Sequence, residues 1–280
     1  MSSPTKSVAP ESEALTSSSK DGGQDLREQV IETLGLEICG NNISPGATFS
    51  TESIEARFQV SRPVVREALR GLEALGLVKP RRRVGMTVMP LTEWNVYDLQ
   101  VIRWRLAGAS RVAQLRSLTE LRRAIEPSAA EMAAIRTPLG LASELVGLSG
   151  ELWKAGKEGD SEEFLRVDRR FHTLVLEMSG NEMFAKLHHL VDEVLVGRTY
   201  YGLMPRFPAI EALQLHTDIA IAIQSGNPKK ASASMLAVME RTIQEMSTIW
   251  DLALDPEDHR PRSSEKTETA SIRLPNKDHG

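Results

Sequence analysis

The sequence holds one cysteine, Cys39, in 280 residues, which excludes an intramolecular disulfide and with it a disulfide-stapled secreted fold. Cys39 sits in Leu36-Glu37-Ile38-Cys39, a helical pattern in which a buried small hydrophobe is expected rather than a nucleophile. No run approaches the roughly 18 apolar residues of a membrane span. The first residues also lack the basic-then-apolar order of a secretory signal. A cytoplasmic protein with no membrane partner is therefore expected. Net charge is equally sparse, −4 at pH 7, with 26% charged and 41% hydrophobic residues. That balance excludes a disordered or collagen-like chain. Taken as an average, it also argues against a nucleic-acid binder, since such proteins are often basic.

The length exceeds most single cores, so two domains are expected. Residues 1–23 and 256–280 are poor in bulky apolar side chains, too poor to offset the entropy of ordering them, and read as disordered tails. Between them lie a compact, locally basic block at 24–90 and a longer block at 91–255. The second block is a series of amphipathic helical patterns broken by Gly and Pro, with strand signals nearly absent.

In the first block, Leu26, Val30, Leu34 and Ile38 form one helical stripe, stopped by Gly40-Asn41-Asn42. Ser50 or Thr51 caps a short second helix. Ser61 caps a third, with Pro63 in its first turn, where a missing N–H costs little. That third helix presents Val65, Leu69, Leu72 and Leu75 on one face and Arg62, Arg66 and Arg70 on the other, and Gly76 ends it. Leu77-Val78 and Met86-Thr87-Val88 then read as two strands flanking Arg81-Arg82-Arg83. From Arg57 to Arg83 eight basic residues stand against Glu67 and Glu73, a net of +6, leaving about −10 for the rest of the chain. An arginine-bearing helix can enter the major groove and pair with guanine O6 and N7, while a basic hairpin grips phosphates or the minor groove.

Val60-Ser61-Arg62-Pro63-Val64-Val65-Arg66-Glu67-Ala68-Leu69, followed by Leu75-Gly76-Leu77-Val78 and a wing glycine, resembles the winged helix-turn-helix of the GntR family of bacterial transcription regulators. The resemblance implies that Arg62, Val64, Arg66 and Arg70 lie on the recognition helix, with Arg62 and Arg66 reading bases. It also implies that Ser61 touches phosphate and that Arg82 and Arg83 reach the minor groove from the wing. Ser53 stands where the family often has a DNA-contacting arginine, which implies an altered operator or heavier reliance on the wing.

The second block opens with Trp94 and Trp104, expected in interdomain packing. Residues 118–134 read as one helix bent or tightened near Pro127. Asp168 and His172, four apart, share a helix face, and a carboxylate and an imidazole so placed can hold a divalent cation or form a plain surface ion pair. His216, on a later helix, is a third candidate ligand. His188-His189 is not expected to make a joint metal site, because adjacent helical residues face different directions.

This block is similar to the FCD type of GntR effector domain, through Glu120, Arg122 and Glu126, then Asp168-x-x-x-His172, Asn181 and His216. The resemblance implies an all-α antiparallel helical bundle behind the winged helix-turn-helix, a mostly α protein overall. It further implies a divalent metal (Zn, Ni or Mn) on Asp168, His172 and His216, and an effector carboxylate paired with Arg122. The hydroxyls of a sugar acid would need polar partners as well, for which Asn181, Arg198 and Gln214 are the candidates. Val238 stands where many relatives carry a fourth ligating histidine. Trp94-Asn95 through Trp104, and Arg122 through Ala134, resemble sugar-acid-responsive members. The expected function is that of a homodimeric repressor on a palindromic, double-stranded operator, released by an acid such as galactonate or gluconate. Another organic-acid or fatty-acyl effector, or a metal-dependent hydrolase or lyase built on the same three residues, stands as the alternative.

Overall fold

The computed structural model describes residues 18–136 and 139–253. Helix α1 (Ser18–Cys39) begins earlier than its packed stripe requires. Residues 18–23, expected in the tail, continue its backbone, since extending a helix already nucleated by packing costs little. The remainder of both expected tails lies outside the described residues. Val30, Ile31, Leu34, Ile38 and Cys39 are buried, whereas Leu26 is 41% exposed, so the stripe starts one turn later than the periodicity suggests. Asn41 takes the left-handed conformation (φ 62°) that stops the helix.

Strand β1 (Thr48–Phe49) and helix α2 (Thr51–Phe58) follow, with the Ser50 side chain accepting from the Ser53 N–H as N-cap. Helix α3 (Arg62–Ala74) buries Val65, Ala68, Leu69 and Leu72 against α1 and leaves its arginines outside. Gly76, at φ +75°, turns the chain where a Cβ would stand 2.2 Å from the Glu93 carbonyl oxygen. Strands β2 (Val78–Arg81) and β3 (Gly85–Val88) form the wing hairpin, and the antiparallel sheet runs β1-β3-β2, with Val78 opposite Val88 and Arg81 opposite Gly85.

After a 3-10 turn at Leu91–Glu93, α4 (Leu99–Ala107) starts on an Asp98 cap. Its two faces belong to different cores. Val101 and Trp104 join the cluster of α1 and α3, while Ile102 and Leu106 join Leu115, Leu118, Leu190 and Val194. Trp104 is 2% exposed, donates its Nε1–H to Glu32 at 2.6 Å, and lies against Gly35, where a Cβ would come within 2.6 Å of the ring. Trp94 donates to the Met89 carbonyl at 2.8 Å. Both tryptophans thus do packing work at the domain junction.

The second block is helical: α5 (Arg111–Arg136), α6 (Leu139–Glu158), α7 (Ser161–Met178), α8 (Glu182–Lys186), α9 (His188–Tyr200), α10 (Ile210–Gln224) and α11 (Pro228–Ala253). Helix α5 runs through Pro127. Helix α11 packs on α5 and α10, α6 on α7 and α10, and α7 on α5 and α9. Ala129, Leu145, Leu152, Phe171, Leu174, Leu195, Ile219 and Met235 are among the residues of its main core. No helix of the described residues is long and apolar enough to cross a membrane.

Candidate nucleic-acid interface and buried polar site

The basic surplus of the first block is unevenly available. Arg57 is held by both Glu37 carboxylate oxygens, Arg70 by Glu67 at 2.5 Å, Lys79 by Glu93 at 2.6 Å, and Arg62 by Glu52 at 3.1 Å. Arg66, Arg81, Arg82 and Arg83 are exposed and make no ion pair or side-chain hydrogen bond among the described residues. The free cations therefore concentrate at the middle of α3 and along the wing, with Arg83 at the hairpin tip in a left-handed conformation (φ 65°). Arg81, part of the basic run that the sequence places between the two strands, stands at the end of β2 opposite Gly85 and joins Arg82 and Arg83 in the wing set.

Ser61 occupies the N-cap position of α3, but its hydroxyl makes no capping bond, which leaves it free for an outside acceptor. Ser53, by contrast, donates its hydroxyl to the Ser50 carbonyl at 2.8 Å, folding it back on the helix start. Val64 is half-buried on α3 between Arg62 and Arg66. The Arg62–Glu52 pair is solvent-exposed on both sides (63% and 64%), and exposed pairs of this kind are weak enough to exchange for a nucleic-acid contact.

In the helical block, Asp168 and His172 of α7 meet His216 of α10 in the interior, their ligating atoms all within 4.8 Å of one another. Asp168 Oδ1 lies 3.5 Å from His172 Nε2 and 3.4 Å from His216 Nε2. The His216 Nδ1 approaches the Ala212 carbonyl at 2.8 Å, and a carbonyl only accepts, so Nδ1 carries a hydrogen and Nε2 is the atom turned toward Asp168. That Nε2 is buried with no hydrogen-bond partner. On the other ring, His172 Nδ1 faces Glu126 Oε2 at 2.5 Å, and Glu126 in turn takes Arg122 Nε at 2.5 Å. A carboxylate behind each ligating imidazole, or a carbonyl in its place, is the arrangement that orients histidines toward a cation. The residues fit a divalent ion: two imidazole nitrogens and a carboxylate converge, and one nitrogen has no other partner.

The charges are coupled. Burial pushes Glu126 up, but Arg122 and His172 more than offset it and hold it at about 2. Burial likewise opposes ionisation of Asp168, and the two histidines still keep it well below the usual carboxylate range. Burial disfavours the His172 imidazolium, yet Glu126 and Asp168 raise it to about 9. Arg198, 3% exposed, reaches Glu245 at 3.1 Å and Thr242 at 3.4 Å; burial first, then the like charge of Arg122, lowers its pKa.

Arg122, Asp168, His172, Arg198 and His216 line one cavity together with Arg241, Thr242 and Glu245 of α11. The α11 residues escaped the sequence reading because nothing in their spacing marks them. Val238, also lining this cavity, fills the fourth side with an apolar group. Asn181 does not line it: its side chain accepts from the Met183 N–H as the N-cap of α8. Gln214 pairs with Asp218 on an exposed surface. The rings of His188 and His189 do not diverge as expected but lie with centroids 3.7 Å apart, tilted by 40°, at the start of α9. They form no metal-type cluster among the described residues.

Comparison with known proteins adds two family matches. Residues 26–88 match the model for bacterial regulatory proteins of the gntR family, and residues 117–241 match the FCD domain. The galactonate operon transcriptional repressor of Escherichia coli (strain K12) is 27% identical over 227 residues, covering 79% of this chain and 97% of that one. An uncharacterized HTH-type transcriptional regulator of the same organism, YieP, is 30% identical over 204 residues, covering 71% and 86%. Among solved structures, Lar, which controls expression of the Listeria monocytogenes agr system, superposes with a TM-score of 0.50 at 16% identity, covering 80% and 97%, and speaks to fold alone.

Proposed function

The chain belongs to the gntR family of bacterial regulatory proteins and carries an FCD domain; it is a DNA-binding transcriptional regulator, not an enzyme, and we propose that it is a cytoplasmic homodimeric repressor released from a palindromic operator by a sugar acid. The observation that carries the DNA half is the placement of the unpaired Arg66, Arg81, Arg82 and Arg83 on the outer face of α3 and the wing. Arg62 and Arg66 read base edges, Ser61 binds phosphate, and Arg81 to Arg83 follow the backbone into the minor groove. Arg70 and Val64 flank this reading face, and Ser53 contributes no charge to it. Two such units on a dimer demand matched half-sites one or more helical turns apart.

The effector half rests on the buried cavity. Without an ion, Arg122, Arg198, Arg241 and protonated His172 stand with Glu126, Asp168 and Glu245, an excess of one positive charge; a divalent ion in place of the His172 proton raises that excess to two, and in either state an effector carboxylate offsets it. Arg122 and Arg198 suit this role because a guanidinium meets a carboxylate with two parallel hydrogen bonds. Asp168, His172 and His216 would hold a divalent ion (Zn, Ni or Mn), which when bound supplies a Lewis-acid anchor for the effector's oxygens. Asn181 lies away from this cavity and is not needed for the reading. Galactonate or gluconate is favoured by the likeness to the galactonate operon repressor.

Release requires that the acid bind more tightly to a domain arrangement that misplaces the recognition helices, since an effector with equal affinity for both arrangements shifts nothing. A thermal-shift panel of sugar acids, other organic acids and acyl thioesters, with and without chelator, tests this half. Galactonate or gluconate is expected to raise the melting temperature; a response confined to acyl thioesters would overturn the sugar-acid assignment.

A further inference from the structure

A second groove lies at the domain junction, about 810 Å³ in volume, between the residues after the wing (Leu91, Val96), α4 and α5. Two side chains in its wall have unmet demands. Arg105, only 8% exposed, makes no hydrogen bond or ion pair among the described residues. Gln114, 3% exposed, has its Oε1 sealed from solvent with no donor. The neighbouring cation Arg116 is already held by Glu120 at 2.9 Å, and the Ser117 hydroxyl donates to the Ala113 carbonyl at 3.0 Å.

Among the described residues no carboxylate cancels the Arg105 charge. The ionisable group acting on it is the Cys39 thiol, which burial pushes up to about 12 and so leaves neutral. Arg105 sits in the last turn of α4, where the helix end offers roughly half a negative charge at most. A buried charge without a full counter-charge is costly, and an open groove beside it gives an anion room to arrive. Among the described residues the five guanidinium N–H donors have no protein acceptor, and the Gln114 oxygen has no donor.

We propose that this groove is a second ligand site, distinct from the cavity around Asp168, and that it takes a small hydroxylated anion, a hydroxycarboxylate or a phosphorylated polyol. The anion pairs with Arg105, and a rotation of the Gln114 side chain, whose Oε1 has no donor where it stands, brings its amide to a hydroxyl of the same molecule. Because α4 shares its faces between the two cores, a ligand here rests against the element that joins the DNA-binding block to the effector block.

The test is calorimetric titration and thermal unfolding of the full chain with glycerate, glycerol 3-phosphate, propionate and neutral glycerol. Wild type is expected to bind glycerate or glycerol 3-phosphate, the two arms separating carboxylate from phosphate, and to ignore glycerol. Arg105→Met is expected to lose about 10- to 100-fold in that affinity, yet to unfold at the same or a higher temperature in anion-free buffer. Gln114→Leu is expected to abolish the preference for glycerate over propionate while keeping the fold. Equal anion binding by wild type and Arg105→Met would overturn the proposal, as would no binding of either anion to wild type. A marked loss of stability of Arg105→Met in anion-free buffer would also overturn it, by showing the charge already compensated.

Discussion

At the scale of single residues, Arg66 is the sharpest assignment. It is exposed on α3, free of any carboxylate, and its removal leaves the buried face of the helix untouched. Arg66→Ala is expected to cost about 1–3 kcal/mol of specific binding and to relax the base preference at one operator position. Arg83→Ala is expected to weaken binding to all sequences alike and to flatten the salt dependence by about one unit of slope. Anisotropy titrations at several salt concentrations read both. His172 gives a prediction in pH. Its folded value of about 9 lies above the ordinary 6.5, so its contribution to the stability of the metal-free protein is fully present below pH 6.5 and is lost as pH rises through about 9. A ligating imidazole must be neutral, so a divalent ion displaces that proton. Ion affinity should then rise with pH up to about 9 and level off above it, with proton release visible as a buffer-dependent heat in calorimetry.

Much of this residue-level picture is legible in the chain itself, and the exceptions have a common cause. Asp168 and His172 lie four apart on one helix, so their shared face is a local fact. The role of Glu126 behind His172, and of Glu245 beside Arg198, depends on helices brought together from far along the sequence. The same distance hides the neutralisation of Arg57, whose partner Glu37 is twenty residues away. A charge count along the chain treats Arg57 and Arg66 alike; the fold leaves only Arg66 free. Asn181 shows the converse, a polar residue at a suggestive position whose side chain is spent on capping a five-residue helix.

At the scale of elements, the wing and α4 carry the argument. Gly85, at φ +103°, sits where a Cβ would fall 2.4 Å from the Phe49 carbonyl oxygen, at the pairing of β1 with β3. Gly85→Ala is expected to destabilise the protein by about 1–3 kcal/mol, through backbone strain and the displaced strand, as a drop in the thermal midpoint. The cavity around Asp168 measures about 40 Å³, room for an ion with a few waters. That is far below the roughly 300–1,000 Å³ typical of ligand pockets. Part of its wall is the segment 201–209, with Met204, Pro205 and Pro208 facing inward and Gly202 at φ +67°. This segment is expected to move outward on sugar-acid binding, and hydrogen exchange of its amides should change more than that of α7 or α10. The helix-turn-helix was readable because the period of α3 separates its apolar and basic faces cleanly. The double allegiance of α4 was not, because successive apolar residues Val101 and Ile102 serve opposite cores and no single stripe records that.

At the scale of the molecule, the small net charge is the average of two unlike regions. The first block presents unpaired arginines outward, while most arginines of the helical block are tied to carboxylates, as in Arg169–Asp192 and Arg170–Glu144. The acidic remainder discourages DNA from the wrong face and leaves one surface for the operator. The central claim is that a carboxylate held in the buried site of one block controls the grip of the other block on DNA. It is tested most directly by measuring affinity for an operator, selected from randomised duplex DNA, as galactonate or gluconate is titrated in, with binding of the acid followed in parallel. The account predicts a fall of about 5- to 150-fold, the usual range of coupling between two sites, at the acid concentration that saturates the protein. An operator affinity that stays constant while the acid is bound would contradict it.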